Sequence, residues 1–310
     1  MPTRKISWSG HDREGNTVTG VVDVPVAAPA SGNLFGMYNN CAVSGADGMS
    51  GGDTAANWKA IRDRSMTPKT AIRREFNTGL PASYNGGDVA QGIIPFLSFK
   101  SDYNAVIAGT SKTAIQNFAK TWPTNCYATW QHEPENVQKE FVADPKGRFV
   151  TPIETIYQWV KAVRPDVKFG PVHLAYQWGT SGQAFAKASL WKVNPSYADF
   201  YGVDWYSMDW NPATWNLGTA TDFQQWYSTF APLGKPLYLS EFGIEATHTD
   251  AETAGVINAS KAWVAAHPQV QMVLYWNGVA MPDGDFQLTP TASKPTGRPQ
   301  ALAAWNAWTG

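Results

Sequence analysis

Short apolar or aromatic runs alternate with polar loops and with longer stretches of helical periodicity from residue 33 onward. Such runs are typical of buried strands, and the stretches between them of helices packed on a sheet. The runs cover 34–40, 71–77, 93–100, 125–133, 168–176, 200–207, 236–243 and 271–278. Helices are predicted over 55–64, 112–120, 151–163, 182–191, 221–230, 250–266 and 299–308. Eight right-handed βαβ repeats close an α/β fold, the (β/α)8 or TIM barrel.

Residues 1–32 follow a different pattern. "KISWSG" and "NTVTGVVDVPV" alternate apolar and polar residues around "REGN", and "AAPASG" follows them. Alternation around a polar turn predicts a β-hairpin, and the Ala-, Pro- and Gly-rich segment predicts a linker. We therefore expect a short N-terminal hairpin-like extension and linker over 1–32, and one barrel domain over 33–310. The extension can be read as the remnant of a neighbouring domain.

Polar and aromatic side chains gather at the C-terminal ends of the predicted strands. In a (β/α)8 barrel these ends and the loops after them form the active site, and packing alone gives no reason to place charge there. The residues concerned are Tyr38, Asn39, Arg73, Arg74, Glu75, Ser98, Lys100, Gln131, His132, Glu133, His173, Tyr176, Gln177, Asp204, Tyr206, Glu241, Trp276 and Asn277.

Two glutamates each end an otherwise apolar strand: Glu133 the fourth and Glu241 the seventh. Strands four and seven face each other across the mouth of an eight-stranded barrel, so the two side chains are expected to converge. Two facing carboxyl groups are the minimum equipment for cleaving a glycosidic bond, provided that one keeps its proton and the other is ionised. Either glutamate alone could equally be part of a buried structural ion pair. Their joint placement favours catalysis.

The neighbouring residues suggest how the two pKa values are separated. Arg73 or Arg74 could hold Glu241 ionised, and Tyr206 could donate a hydrogen bond to it. Glu133 would keep its proton through desolvation beside Trp130 and His132. Two further acids, Glu135 and Glu245, follow in the loops and are expected to be solvated or at the substrate rim.

The sequence is rich in aromatic residues, with 15 Trp and 12 Tyr. Aromatic rings bury large area and can stack on the C–H faces of sugars. We expect sugar subsites from the tryptophans of the predicted strand ends and loops, which are Trp178, Trp205, Trp210, Trp215 and Trp276. Those on predicted helices are expected in the core, namely Trp58, Trp159, Trp191, Trp263, Trp305 and Trp308.

Three motifs resemble a known group of enzymes. "WQHEP" is similar to the "NEP" signature at the fourth-strand acid/base of clan A glycoside hydrolases, with His132 in place of Asn. A His before that Glu is similar to glycoside hydrolase family 26, which contains mannanases. "YGVDWYS" resembles that family's strand-six Gly-x-Asp-x-Tyr, and "GKPLYLSEFG" its strand-seven segment with the nucleophile. The segment "PENVQKEF" lacks the aromatic-rich run that mannanases carry there.

The resemblance covers residues 34–310 in layout and implies a retaining, endo-acting glycoside hydrolase whose substrate is a polysaccharide. It implies Glu133 as acid/base and Glu241 as nucleophile, with His132 and Tyr206 as supports and Trp276 as a stacking wall. The expected substrate-binding residues are Arg74, His132, Trp178, Asp204, Tyr206 and Trp276. A non-catalytic carbohydrate-binding barrel is the alternative, and a carbohydrate lyase or transglycosylase on the same scaffold also remains open.

Charge and spacing argue against other classes. The net charge is −1, which gives no global field to attract nucleic acid or anionic membrane. No phosphate loop or dinucleotide fingerprint is present, no cofactor is expected, and His132, His173 and His248 lack metal-site spacing. The loops 47–53 and 282–286 read as turns with Asx hydrogen bonds rather than calcium sites.

Compartment and assembly are less constrained. No run approaches the ~20 apolar residues of a membrane span, and the N-terminus has no apolar segment of the signal-peptide type. We expect extracellular action through another export route or as part of a virion. Cys41 and Cys126 are expected to be free thiols at opposite ends of the barrel. A monomer, or a domain of a larger protein, is expected.

Overall fold

A computed structural model describes residues 3–11, 17–25, 33–39, 54–137, 139–180, 182, 184–280, 284–290 and 296–310. The chain divides into two compact units, Met1–Gly32 and Asn33–Gly310. In the first unit, β1 (Thr3–His11) and β2 (Thr17–Pro25) form an antiparallel hairpin in which Trp8 is opposite Gly20. The alternating pattern of this segment predicted that pairing.

The second unit is built on one parallel sheet. Its strands are β3 (Leu34–Asn39), β4 (Thr70–Phe76), β5 (Ile94–Phe99), β6 (Tyr127–Trp130), β7 (Lys168–Phe169), β8 (Val172–Leu174), β9 (Tyr201–Ser207), β10 (Leu237–Ile244) and β11 (Val270–Asn277). Within the described part of the chain their order is β7-β6-β5-β4-β3-β11-β10-β9-β8. Because β7 and β8 are two pieces of one strand, the ends of this order meet and the sheet closes. The predicted (β/α)8 barrel is confirmed.

The fifth barrel strand, predicted as continuous over 168–176, is interrupted. Gly170 and Pro171 separate β7 from β8, and the chain enters a 3₁₀ turn at Ala175. A Cβ on Gly170 would meet the Phe200 carbonyl oxygen at 2.2 Å, and Pro171 has no N–H to donate to a neighbouring strand. Close backbone approach and a missing donor therefore explain the break.

Helices follow most of the strands. They are α1 (Ala55–Ser65), α2 (Tyr103–Ile107), α3 (Lys112–Lys120), α4 (Pro134–Val137), α5 (Lys139–Ala143), α6 (Thr151–Val163), α7 (Thr221–Phe230), α8 (Asp250–Ala266) and α9 (Pro299–Thr309). A π-helical turn, Lys146–Val150, leads into α6. Helix α8 starts with a capping box between Thr249 and Glu252, which satisfies free N–H groups at its first turn. Two short strands, β12 (Val279–Ala280) and β13 (Gly284–Asp285), pair after β11.

The helix predicted over 182–191 is wrong in type. This stretch forms 3₁₀ turns over Phe185–Trp191, and Lys187 has non-helical angles of φ −123° and ψ 24°. Tertiary contacts override the helical pattern: Ala184 N–H donates to the Gln177 carbonyl (3.0 Å), and Lys187 Nζ donates to the Val142 carbonyl (3.0 Å).

Two apolar clusters hold the barrel together. The larger lies between the sheet and the helices and includes Trp58, Trp191 and Trp305. The smaller joins residues from strands on opposite sides of the sheet order, so it fills the barrel interior: Ile72, Phe96, Val172, Phe200, Tyr238, Met272 and Leu274. Within this cluster Phe200 and Tyr238 are stacked (4.4 Å between ring centroids), and the Arg74 guanidinium lies over Phe96 (4.4 Å).

Two other sequence expectations concern cysteine and membranes. The Cys126 thiol is free and buried, and burial raises its pKa to about 12. Cys41 lies outside the described residues. Among the described helices, none is both long enough and apolar enough to cross a bilayer.

Candidate active site

An unusual turn places Glu133 at the end of β6. Gln131 and Glu133 have φ values of 50° and 52°, in the left-handed region that side chains other than glycine rarely adopt. The Gln131 N–H donates to the Phe99 carbonyl (3.0 Å), and the Glu133 N–H donates to the Val172 carbonyl (2.9 Å). The turn is therefore fixed between β5 and β8, and these contacts offset the strain of the two residues.

A bulge places Glu241 on β10. The register against β9 shifts between Leu239 and Glu241, which inserts Ser240 as an extra residue. Ser240 Oγ donates to Asp204 Oδ1 (2.7 Å), and the Tyr206 hydroxyl donates to Glu241 Oε2. The hydrogen bond that the sequence predicted for Tyr206 is thus present, and the bulge secures Asp204 as well.

Three carboxyl groups meet at the mouth of the barrel. One oxygen each from Glu133, Asp204 and Glu241 lies within 4.8 Å of the other two. Glu241 and Asp204 are buried, whereas Glu133 is half-buried. The two glutamates predicted to converge across the barrel do so, and Asp204 lies close to both.

Burial dominates the electrostatics of this trio. It raises the pKa of Glu133 to about 8, assisted by the charges of Asp204 and Glu135. Burial also raises the pKa of Asp204 to about 6, and burial with the Asp204 charge raises the pKa of Glu241 well above its usual range. Three carboxylates this close cannot all be ionised, so protons are shared among them at neutral pH.

Arg74 is the cation that opposes the rise in the pKa of Glu241. Its guanidinium is fully buried and lies over the rings of Phe76 (4.6 Å) and Phe96 (4.4 Å), with Nε 3.8 Å from Glu241 Oε1. None of its side-chain nitrogens has a hydrogen-bond partner among the described residues. Its charge lowers the pKa of Glu241, and the Tyr206 hydroxyl acts in the same direction.

Arg73, the other arginine considered from the sequence, belongs to a different network. Its Nη1 donates to Glu75 Oε2 (2.7 Å) and to the buried Asp88 (3.0 Å). Adjacent residues of a strand point to opposite faces, so only one of the two arginines can face the barrel interior. The structure gives that place to Arg74.

Phe76, His132 and Trp276 form an aromatic wall beside the carboxyl groups. Phe76 lies edge-on to His132 (5.0 Å between ring centroids) and to Trp276 (5.7 Å), and Trp276 is 6.3 Å from Tyr206. Both His132 and Trp276 are half-buried, so part of each ring remains open. Phe76 was missed in the sequence, although it stands at the end of the second predicted strand.

His132 is held in a neutral form. Burial, with the charges of Arg74 and Lys100, keeps the pKa of its imidazole well below the usual range. Its Nδ1 is hydrogen-bonded to Ser98 Oγ (2.7 Å). A neutral ring fixed in this way can give or accept one hydrogen bond at the mouth without adding charge.

Two sequence expectations are corrected by burial. Trp178 has no exposed surface, because its ring packs on His173 (5.4 Å) and Phe230 (5.1 Å) and its Nε1–H donates to Glu135 Oε1 (2.9 Å). It therefore offers no face to a sugar. Glu135 is likewise buried rather than solvated, since the start of α4 turns its side chain towards β8.

The remaining loop tryptophans divide between core and surface. Trp205 is buried and stacked on Phe242 (5.5 Å), so it too is removed from the expected sugar-binding group. Trp210 is 64% exposed and Tyr176 55% exposed, in the segments after β9 and β8. These exposed rings remain available to a ligand. Glu245 accepts a hydrogen bond from the Asp209 N–H (2.7 Å) and is half-buried.

A small cleft adjoins the turn that carries Glu133. Its volume is about 350 Å³, and its lining residues are Thr78, Gly79, Leu80, Lys100, Ser101, Asp102 and Gln131. Gln131 is 3% exposed; its Nε2 donates to the Ser101 carbonyl (3.0 Å), and its Oε1 has no hydrogen-bond partner among the described residues. A buried acceptor without a hydrogen-bond partner among the described residues thus lies in the wall of this cleft.

The spacing of the trio alone would let three oxygens reach one cation. Positive charge is already supplied there by Arg74 and by shared protons, and we assign no metal to the site. The other histidines considered lie elsewhere: His173 contacts Glu135 (3.3 Å) and His248 the Met208 carbonyl (3.1 Å). The loop 47–53 and residues 282–283 of the second loop lie outside the described residues.

No protein-family model matches the sequence, and no curated protein matches it either. Solved structures do resemble the fold. A family 39 glycoside hydrolase from Bacteroides cellulosilyticus WH2 is 14% identical, with 97% of this chain and 70% of that one covered and a TM-score of 0.54. A GH5-4 broad specificity endoglucanase from Clostridium acetobutylicum is 12% identical, with 88% and 96% covered and a TM-score of 0.59. Xylanase 10B from Thermotoga maritima is 14% identical, with 89% and 94% covered and a TM-score of 0.58. The chain thus shares the barrel fold of these glycoside hydrolases.

Proposed function

We propose that the protein is a retaining glycoside hydrolase that cuts a polysaccharide. The observation that carries the proposal is the convergence of Glu133 and Glu241, with carboxyl oxygens within 4.8 Å, at the C-terminal ends of opposite strands. Retaining enzymes hold their two carboxyl groups ~5–5.5 Å apart, whereas inverting enzymes need ~6.5–9.5 Å to admit a water molecule. The short separation supports retention.

In the first step, Glu133 donates its proton to the glycosidic oxygen while a Glu241 oxygen attacks the anomeric carbon. The carbon–oxygen bond to the leaving sugar breaks, and a glycosyl ester forms on Glu241. A Glu133 pKa of about 8 keeps the proton in place at neutral pH. The Arg74 charge and the hydrogen bond from Tyr206 favour the ionised form of Glu241 that attacks.

In the second step, Glu133 is ionised and takes a proton from water. The water oxygen attacks the anomeric carbon from the side that the leaving group vacated, and the ester bond to Glu241 breaks. Two inversions at one carbon restore the original configuration, and both glutamates return to their starting protonation.

The binding features support a polymeric substrate cut internally. The aromatic wall of His132, Phe76 and Trp276 suits the stacking of a sugar beside the carboxyl groups, and the exposed ring of Trp210 lies farther along the loops. The resemblance of the His132–Glu133 pair to glycoside hydrolase family 26 is part of this proposal, because the similar solved structures show only the barrel fold.

The proposal is tested by release of reducing ends from mannans, xylans, glucans, galactans and arabinogalactan. Wild type should cut one of them, and Glu133→Ala and Glu241→Ala should each lose ~10³-fold or more. Glu140→Gln, at an exposed position of α5, is the matched control and should retain activity. NMR of the first-formed product should show the anomer of the substrate, and viscosity should fall early if cleavage is internal.

Other outcomes identify the alternatives. Glycan binding without cleavage would indicate a carbohydrate-binding barrel. Products with an unsaturated end would indicate a lyase, and new glycosidic bonds a transglycosylase. An inverted first product would refute the double displacement.

A further inference from the structure

The segment after Glu133 contains a buried acid that the proposed chemistry does not use. Glu135 is 1% exposed, in the first turn of α4. Its Oε1 accepts from Trp178 Nε1 (2.9 Å) and from the Leu174 N–H (3.0 Å), and lies 3.3 Å from His173 Nδ1. A buried carboxylate with three such contacts is held in a fixed position, and this one lies only two residues after Glu133.

Those contacts join Glu135 to the strand that also holds Glu133. Leu174 and His173 belong to β8, and the Val172 carbonyl of the same strand accepts the Glu133 N–H (2.9 Å). The left-handed turn at Gln131 and Glu133 is therefore tied to β8 at two points, one by the backbone and one by the Glu135 side chain. Releasing the second tie would let the acid/base move.

The second carboxyl oxygen of Glu135, Oε2, is also buried. It has no hydrogen-bond partner among the described residues, and the site around it is closed to solvent. Asp204 on β9 and Glu241 on β10 have carboxyl oxygens within 4.8 Å of Glu133, and the negative charges of Asp204 and Glu135 raise the pKa of Glu133. The side-chain hydrogen bond from Asn136 and the charge of Arg74 on β4 act in the opposite direction on Glu133, and His173 on β8 contacts Glu135 (3.3 Å).

We propose that Glu135 is a positioning residue for the acid/base: it ties the turn carrying Glu133 to β8 and keeps a negative charge beside it. The role of Glu135 in catalysis rests on the proposed function, whereas its effects on the position and the pKa of Glu133 do not. A neighbouring negative charge favours the protonated form of a carboxyl group. Glu135 thereby helps Glu133 to keep the proton that it must donate.

Glu135→Gln separates charge from contact, because the amide oxygen can still accept from Trp178 and Leu174. With ¹³C-labelled glutamate, the carboxyl signal of Glu133 is assigned by its loss in Glu133→Gln and titrated without substrate. We expect the pKa of Glu133 to fall by about half a pH unit or more in Glu135→Gln. Glu140→Gln, which removes an exposed charge, should leave it unchanged.

Glu135→Asp is the complementary variant, since it keeps the charge but is one methylene too short for the same contacts. The pKa of Glu133 should stay raised while the melting temperature falls. An unchanged Glu133 titration in Glu135→Gln, or an equal shift in Glu140→Gln, would overturn the proposal. So would a fall of this pKa in Glu135→Asp equal to that in Glu135→Gln.

Activity supplies a second readout. The basic limb of kcat/KM against pH reports the acid/base, so it should move to lower pH in Glu135→Gln and stay in place in Glu140→Gln. A wild type that cuts no glycan would refute the proposed function, yet the NMR titration would still decide the role of Glu135.

Discussion

Removing the buried cation beside the candidate nucleophile should raise the pH at which the enzyme becomes active. Arg74 Nε lies 3.8 Å from Glu241 Oε1 in a fully buried setting. Arg74→Met replaces the guanidinium with an apolar chain that can still pack between Phe76 and Phe96. The variant therefore tests the charge with little change in packing.

The size of the effect follows from the distance. At 3.8 Å and an effective dielectric constant of ~20, the attraction is about 4 kcal/mol, which corresponds to ~3 pH units in the pKa of Glu241. Protons shared with Asp204 reduce this, so we expect a rise of about 1 to 3 units. Since the nucleophile must be ionised, the acidic limb of kcat/KM should move to higher pH by that amount, with a loss of ~10- to 10³-fold below it.

The assay is the pH dependence of kcat/KM for wild type, Arg74→Met and Arg74→Lys. Lys keeps a positive charge and should recover most of the shift. Glycan affinity should change little in all three, because Arg74 has no exposed surface for a ligand. A uniform loss of activity with the acidic limb unmoved would show that Arg74 only packs, and would refute the electrostatic argument.

Two further predictions concern stability and the aromatic residues. The pKa of Glu133 is about 8 against an ordinary 4.5, so the folded state binds this proton more tightly and stability falls as pH rises through that interval. The free energy of unfolding of Glu133→Gln should therefore match that of wild type near pH 5 and exceed it near pH 9 by at least about 1 kcal/mol, or ~2 °C in Tm by calorimetry. A difference that is the same at both pH values would contradict this. Trp210→Ala should raise KM and leave Tm unchanged. Trp178→Phe, which loses the hydrogen bond to Glu135, should lower Tm and leave KM unchanged. The opposite pattern would show that Trp178 belongs to the substrate site.

The sequence was sufficient for the barrel and for the two facing glutamates. Most of the strands are dense apolar runs, and the topology of eight βαβ units fixes which strand ends face each other. The sequence could not predict which of Arg73 and Arg74 faces the barrel interior, because a one-residue change of register exchanges the two faces of a strand. The bulge at Ser240 has no signature in the sequence of β10, where Ser240 and Glu241 simply follow an apolar run.

The roles of Glu135 and Trp178 could not be predicted for a different reason. Both lie in segments after the strands, where the direction of a side chain depends on how short helices and turns pack rather than on a period. Polar character suggested solvent for Glu135, and the loop position suggested substrate for Trp178. Each instead satisfies the other by one hydrogen bond in the core.

The pairing of β3 with β11 has a consequence for how the protein acquires its activity. These strands join opposite parts of the chain, and beside them the Thr67 and Thr309 hydroxyls are hydrogen-bonded (2.7 Å) across 242 positions of sequence. Contacts between such distant residues form late, because the entropy of closing the loop must be met first. Until this seam closes, the barrel is open, and β4, which carries Arg74, is not held beside β10, which carries Glu241. Recovery of catalysis after denaturation should therefore lag behind recovery of helical structure.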